Sequence, residues 1–224
     1  MIQIHKAKFN TSEYPFREIV KDILEEKSLE NLHVVKKYAK IKDEYHDQDT
    51  IWHKKYYDKF QWEFYPLYEK FIREVVMEHF NWSDTTYLGT SRNWKNLIYQ
   101  KIPTFRVHQV DNLGVGAWHK DSDYNHGVDE INCLLPFTDA YDTNTIWMES
   151  EVGKKDFKPY NINYGEFLVF SGANLMHGNQ TNEELDTRCS IDFRVVHPKD
   201  FKTSNDESVS ANVKFKIGGY FEQL

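Results

Sequence analysis

The chain has 224 residues, 40% hydrophobic and 16% aromatic, with 28 Lys and Arg against 35 Asp and Glu for a formal charge of −7. That balance excludes a nucleic-acid groove, which needs clustered basic side chains to release counterions, and no apolar run approaches the ~18–20 residues of a membrane span. A mean hydropathy of −0.72 suggests a thin core, but 15 Phe, 14 Tyr and 6 Trp each bury far more area than an aliphatic residue, so a single folded domain over 1–224 is expected.

The stretch Met1 to Phe16 lacks the apolar segment of a secretory signal. Cys133 and Cys189 lie in alternating apolar stretches without a CxxC partner, as ordinary core thiols of a reducing compartment do. A cytoplasmic protein is expected. From Ser12 to Lys40 and from Gln48 to Phe80 the pattern is helical, making about 1–90 a helical N-terminal part. Tyr56, Phe60, Phe64, Leu67, Phe71 and Val75 recur at steps of three and four and share one helix face. Pro66 either kinks that helix or opens a second one as its first residue.

After Trp82 the period shortens. Asn96–Ile102, Thr104–Val110, Val115–His119, Glu130–Phe137, Thr145–Glu149, Glu166–Phe170 and Arg188–Val196 read as short strands separated by turn residues. A polar connection over Asp200–Ser210 precedes a possible last strand within Asn212–Phe221. The pattern predicts a mainly β fold over about 95–224, an antiparallel sandwich or jelly roll with helices on one side. In Arg188–Val196, Cys189, Ile191, Phe193 and Val195 share one face, and Arg188, Ser190, Asp192 and Arg194 the other. Ile131, Cys133, Leu135 and Phe137 oppose Asn132, and Phe105 and Val107 oppose Arg106 and His108. If helices cover the apolar faces, the polar faces line a cavity.

Among ten histidines, His119-Lys120-Asp121 is the one His-x-carboxylate triplet, and in an extended strand it puts both potential ligands on one side. Composition alone yields about one or two such triplets, so the triplet by itself is weak. His177 follows 58 residues on, and Arg188-Cys189-Ser190 puts two polar side chains on one strand face eleven residues later. Two imidazoles and a carboxylate suit a ferrous ion, occupying one face of its octahedron and leaving three positions open. A guanidinium with a serine hydroxyl suits the distal carboxylate of a 2-oxo acid.

This constellation resembles the Fe(II)/2-oxoglutarate-dependent oxygenases. The run Trp118-His119-Lys120-Asp121-Ser122-Asp123-Tyr124 is similar to the phytanoyl-CoA-hydroxylase-like branch. Asn144 to Ser150, His177-Gly178-Asn179 and Ser190 to Val195 resemble the streptomycin-biosynthesis type within it. The resemblance covers about Thr104 to Val196. It implies a double-stranded β-helix (jelly roll, cupin-like), Fe(II) on His119, Asp121 and His177, 2-oxoglutarate anchored by Arg188 with Ser190, O2 as oxidant, and release of succinate and CO2. Halogenating relatives replace the metal carboxylate by a small residue, so Asp121 favours hydroxylation. A small or medium polar metabolite is expected, sugar- or aminoglycoside-like first and an amino acid second, with no nucleic-acid or membrane partner. His126 rivals His177 as third ligand, and Arg194 rivals Arg188 as anchor. The two arginines lie ~20 Å apart along one strand, too far for both to touch one small anion. Arg106, His108, Asn132, Trp147 and Arg194 are candidate substrate contacts. A cupin-like hydrolase or isomerase, or a non-catalytic binding module, would use the same fold without needing Arg188-x-Ser190.

Overall fold

The computed structural model describes residues 4–35, 50–82, 95–114, 117–208 and 212–224. Large side chains recur at every fourth position from Trp52 through Tyr56, Phe60, Phe64, Tyr68, Ile72 and Val76 to Phe80, and all eight are buried. In a plain α-helix such a stripe would drift round the rod by ~40° per step. Two π-helical turns take most of that drift back, each adding a residue worth ~100°. They are Phe60–Phe64 and Ile72–Val76, set between α2 (Ile51–Lys59), α3 (Tyr65–Phe71) and α4 (Met77–Trp82). The expected stripe is therefore revised: Leu67 and Val75 are only partly buried, and Tyr68, Ile72 and Val76 replace them. Pro66 sits in the first turn of α3, directly after the first π turn. Its ring and missing N–H disrupt the ordinary ladder there, and the Tyr65 N–H reaches back five residues to the Phe60 carbonyl.

The helical expectation over Ser12–Lys40 is also shortened. The first helix, α1, runs Phe16–Leu24 and stops at Glu25, whose φ of 59° closes a left-handed C-cap. A short 3₁₀ turn follows at Leu32–Val34, and residues 36–40 lie outside the described residues, as do the Gln48 start of the second helix and Val115 of the expected Val115–His119 strand.

The described residues include ten strands, in chain order β1 (His5–Lys8), β2 (Ile98–Gln100), β3 (Thr104–His108), β4 (Ile131–Pro136), β5 (Trp147–Met148), β6 (Lys158–Pro159), β7 (Glu166–Phe170), β8 (His177–Gly178), β9 (Arg188–Val196) and β10 (Phe221–Gln223). Seven form an antiparallel sheet in the order β1-β7-β4-β9-β2-β10, with β3 also on β9. The other three make a small sheet, β6-β5-β8. β9 pairs β4 along one edge and shares the other between β3 and β2. Of the expected final strand within Asn212–Phe221, only Phe221 belongs to β10.

One face of the large sheet belongs to the helices. Tyr56 stacks on Phe105 at 4.3 Å, and Tyr68, Phe71 and Phe64 meet Phe193, Phe167 and Phe137 edge-on at 5.4, 5.5 and 5.9 Å. Cys133 and Cys189 are buried in the same layer, and burial raises both thiols far above their ordinary range. On the opposite face Leu134, Leu168 and Phe170 pack with Met148 of the small sheet, Ile162 and Leu175. Between the two sheets, register brings the remaining inward side chains side by side: Arg106 opposite Ser190, His108 opposite Arg188, and Asn132 opposite Arg194. Among the described residues no helix is long and apolar enough to cross a membrane.

Phe193 is fully buried where β9 meets the helical rod. Phe193→Ala is expected to lower the unfolding free energy by ~3–5 kcal/mol, read from the denaturant midpoint at unchanged m-value.

Candidate metal centre

Two histidines 58 residues apart meet because their backbones pair. The His119 N–H donates to the His177 carbonyl at 2.9 Å, and the His177 N–H donates back to that of His119 at 3.0 Å. Directly opposed residues of an antiparallel pair send their side chains to the same face, and the rings lie 4.5 Å apart. Lys120 is extended, and the chain then turns into a 3₁₀ turn, Asp121–Tyr124. The Asp121 N–H donates to the Gly172 carbonyl at 2.9 Å, setting its carboxylate beneath the two rings.

The rings are oriented for coordination. Nδ1 of His119 lies 2.7 Å from the Ala117 carbonyl, and Nδ1 of His177 lies 2.9 Å from that of Leu175. A carbonyl only accepts, so each Nδ1 carries a proton, and Nε2 is the nitrogen left to coordinate a metal. Both Nε2 atoms stand 3.4 Å from Asp121 Oδ1. Ligand atoms of these three residues all fall within 4.8 Å of one another. The donor set of two imidazoles and one carboxylate fits a divalent transition metal.

The other carboxylate oxygen is committed elsewhere. Asp121 Oδ2 accepts from Arg194 Nε at 2.9 Å, pairs with Arg194 Nη2 at 2.7 Å, and accepts from Asn132 Nδ2 at 2.7 Å. Burial works against charge on this carboxyl, but the Arg194 guanidinium, followed by the two histidine contacts, holds it well below the usual carboxylate range. Asn132 is fixed in turn by the Gly172 N–H, which donates to its Oδ1 at 3.1 Å. A β-carbon on Gly172 would stand 2.6 Å from that amide, so the close approach requires glycine. His126 is not part of this group: its Nδ1 lies 2.8 Å from Glu130 Oε2 and its ring packs on Phe215.

A cavity of about 530 Å³, its mouth included, opens over the three residues. Arg106, Asn132, Arg188 and Arg194 line it, as the two-faced strands suggest. Arg188 is buried, and both terminal nitrogens donate to Asn179 Oδ1 at 3.3 Å. Ser190 is fully buried on the same strand face, and its hydroxyl has no hydrogen-bond partner among the described residues. Ser190 and two expected substrate contacts, His108 and Trp147, are not among the residues that line the cavity. The His108 ring is held between the carbonyls of Asn112 and Asn144, at 2.8 and 3.3 Å. The Trp147 indole donates to the Asp142 carbonyl at 2.8 Å, away from the centre. Residues not singled out beforehand also line the wall: Asp192, whose Oδ1 accepts from Arg106 Nε at 2.7 Å, and Asn179, Ile146 and Phe170. The polar face of β9 already contains Asp192, and Asn179 closes the His177-Gly178-Asn179 run. Nothing in the local pattern marks Ile146 or Phe170.

Burial lowers His108 to about 3, helped by the charge on Arg188. His53 in α2 also falls to about 3, through burial and then Arg106. Unfolded histidine titrates near 6.5, so from about pH 6.5 down to about 3 the unfolded chain binds more protons than the folded one, and stability falls with pH. Each ring contributes up to ~1.4 kcal/mol per pH unit inside that window. Urea titrations at pH 7 and pH 5 are expected to show this loss, with a shallower slope in His108→Gln.

The comparisons agree with this architecture. Over 224 residues, all of both chains, the sequence is 30% identical to the streptomycin biosynthesis protein StrG of Streptomyces griseus. No protein-family model matches. Among solved structures, EctD from S. alaskensis with 2-oxoglutarate and 5-hydroxyectoine superposes with a TM-score of 0.56 at 10% identity, over 97% of this chain and 77% of that one. The non-heme monooxygenase ThoJ, as its Ni complex, gives 0.51 at 12% identity, over 88% and 75%. These two likenesses establish a shared fold.

Proposed function

The chain belongs to the family of the streptomycin biosynthesis protein StrG, and from that premise we propose that it is an Fe(II)- and 2-oxoglutarate-dependent oxygenase hydroxylating a small or medium-sized polar metabolite. The observation that carries the proposal is the convergence of His119, Asp121 and His177 on one point at the floor of a cavity. His119 Nε2, His177 Nε2 and Asp121 Oδ1 would hold the ion and leave its cavity side open to ligands. Iron held there would supply the activation of O2, with one oxygen atom passing to succinate as 2-oxoglutarate loses CO2 and the other to the substrate.

The chain's own residues bind, orient and exclude water. Arg188, on the cavity wall, is the anchor for the distal carboxylate of 2-oxoglutarate, with the buried Ser190 hydroxyl as a further donor. Arg194 is unsuited to that task because Asp121 already engages its guanidinium. Leu134, Ile146 and Phe170 keep that part of the cavity apolar, which strengthens the charged contacts beside them. The solved EctD contains 2-oxoglutarate, which supports the co-substrate. The similarity to StrG, a streptomycin biosynthesis protein, supports a sugar- or aminoglycoside-like substrate before an amino acid, and the motif run from Trp118 supports the phytanoyl-CoA-hydroxylase-like branch.

Purified protein with Fe(II), ascorbate, O2 and 2-oxoglutarate is expected to release succinate slowly even without a prime substrate, and His119→Ala to abolish it. Undiminished succinate from that variant would remove the metal assignment. In differential scanning fluorimetry 2-oxoglutarate should raise the melting temperature of metal-loaded protein, which a zinc hydrolase on the same fold would not show. Arg188→Gln is expected to raise the KM for 2-oxoglutarate ~10–100-fold, the usual worth of a charge-assisted contact, while metal affinity stays unchanged.

A further inference from the structure

Asp121 is grasped asymmetrically. An arginine commonly meets a carboxylate fork to fork, one nitrogen on each oxygen. Here Nε and Nη2 of Arg194 both address Oδ2, at 2.9 and 2.7 Å, and Asn132 adds a third donor to that oxygen at 2.7 Å. Oδ2 is thereby saturated, and Oδ1 alone faces the two imidazoles.

Arg194 is kept in that pose by groups from three parts of the chain, one of them Asp192 on its own strand, whose Oδ2 lies 3.6 Å from Nη1. That nitrogen donates to the Tyr220 hydroxyl at 3.1 Å and to Gln100 Oε1 at 3.2 Å. Gln100 is itself oriented, its amide donating to the Ile102 carbonyl at 2.7 Å. Tyr220 is buried, its ring packed against Phe215 and Phe221 at 5.0 Å each. Its carbonyl accepts from the Lys101 N–H at 2.9 Å, and β10 then pairs with β2. An unbroken line of hydrogen bonds therefore runs from the C-terminal segment through Arg194 to the carboxylate.

We infer that Arg194, held by Tyr220 of the C-terminal segment, is a positioning residue that fixes Asp121 as a one-oxygen metal ligand, so that the turn leading into β10 is a working part of the metal centre. This rests on the metal reading above. A carboxylate free to rotate could chelate through both oxygens and occupy one of the positions that co-substrate and O2 require. With Oδ2 saturated, an ion held by these three residues would keep its remaining positions open. Outer-sphere partners of this kind typically govern metal affinity by 10–100-fold.

The test is a Co(II) titration of metal-free full-length protein, followed by its visible d–d absorption, together with thermal melting of the metal-free form. Arg194→Lys, which replaces a two-nitrogen grip by one ammonium, is expected to weaken Co(II) binding ~10–100-fold and to change the d–d band. Tyr220→Phe removes one oxygen and keeps the ring packing, so it should fold even if the arginine variant does not. It is expected to weaken binding about three- to tenfold, towards the lower limit of outer-sphere effects, with a smaller change of the same band. Variants that melt earlier but keep wild-type affinity and spectrum would show a purely structural role and overturn the inference. That result, alongside succinate release by the wild type, would leave the oxygenase reading standing. Failure of the wild type to bind Co(II) or Fe(II) at all would overturn both.

Discussion

The structure depends on how one buried carboxylate divides its two oxygens. Asp121 gives Oδ2 to Arg194 and Asn132 and leaves Oδ1 to the imidazoles. A buried charge is tolerated only when it is paired and hydrogen-bonded, and Arg194 meets that need without using the oxygen that faces the cavity. The guanidinium is buried too, so each charge is what makes the other tenable. Removing either would strand its partner in a low-dielectric layer, at a cost well above that of an exposed ion pair.

That pair can exist only inside a two-layered β structure whose strands are apolar on one side and polar on the other. β9 shows the rule most fully. Cys189, Ile191, Phe193 and Val195 face the helical rod, and Arg188, Ser190, Asp192 and Arg194 face the small sheet. The rod must present an equally straight row of large side chains, and the two π turns allow residues at every fourth position to do so. Features far from His119, Asp121 and His177 thus decide how deeply those side chains sit. If the aromatic layer did not cover the outer face of the large sheet, no dry interior would exist for the polar face to line.

Charge in the cavity is close to balanced before any ligand enters. Arg106 pairs with Asp192, Arg194 pairs with Asp121 and, at 3.6 Å, with Asp192, and Arg188 donates to Asn179 Oδ1. A divalent ion bound with a dianionic 2-oxo acid would preserve this balance. Of the two arginines on this strand face, Arg194 is tied to the carboxylate that also faces the two imidazoles.

Local sequence signals carried much of this. The alternation in β3, β4 and β9 encoded which side chains point inward, because strand periodicity is a property of the backbone alone. The His119-x-Asp121 spacing, with His177 and Arg188 downstream, encoded a plausible ligand set. Tertiary structure decided the rest. The choice of His177 over His126 depends on a backbone pairing across 58 residues, and His126 is drawn instead to Glu130. His108 and Trp147 have the right residue types but are taken up by backbone carbonyls, which no spacing reveals. The part played by Tyr220 was invisible from the chain, since a tyrosine near the C-terminus acquires its meaning only when β10 pairs with β2 and brings its hydroxyl to Arg194. Periodicity is written residue by residue, but which distant groups share a buried charge is settled only when the sheets close.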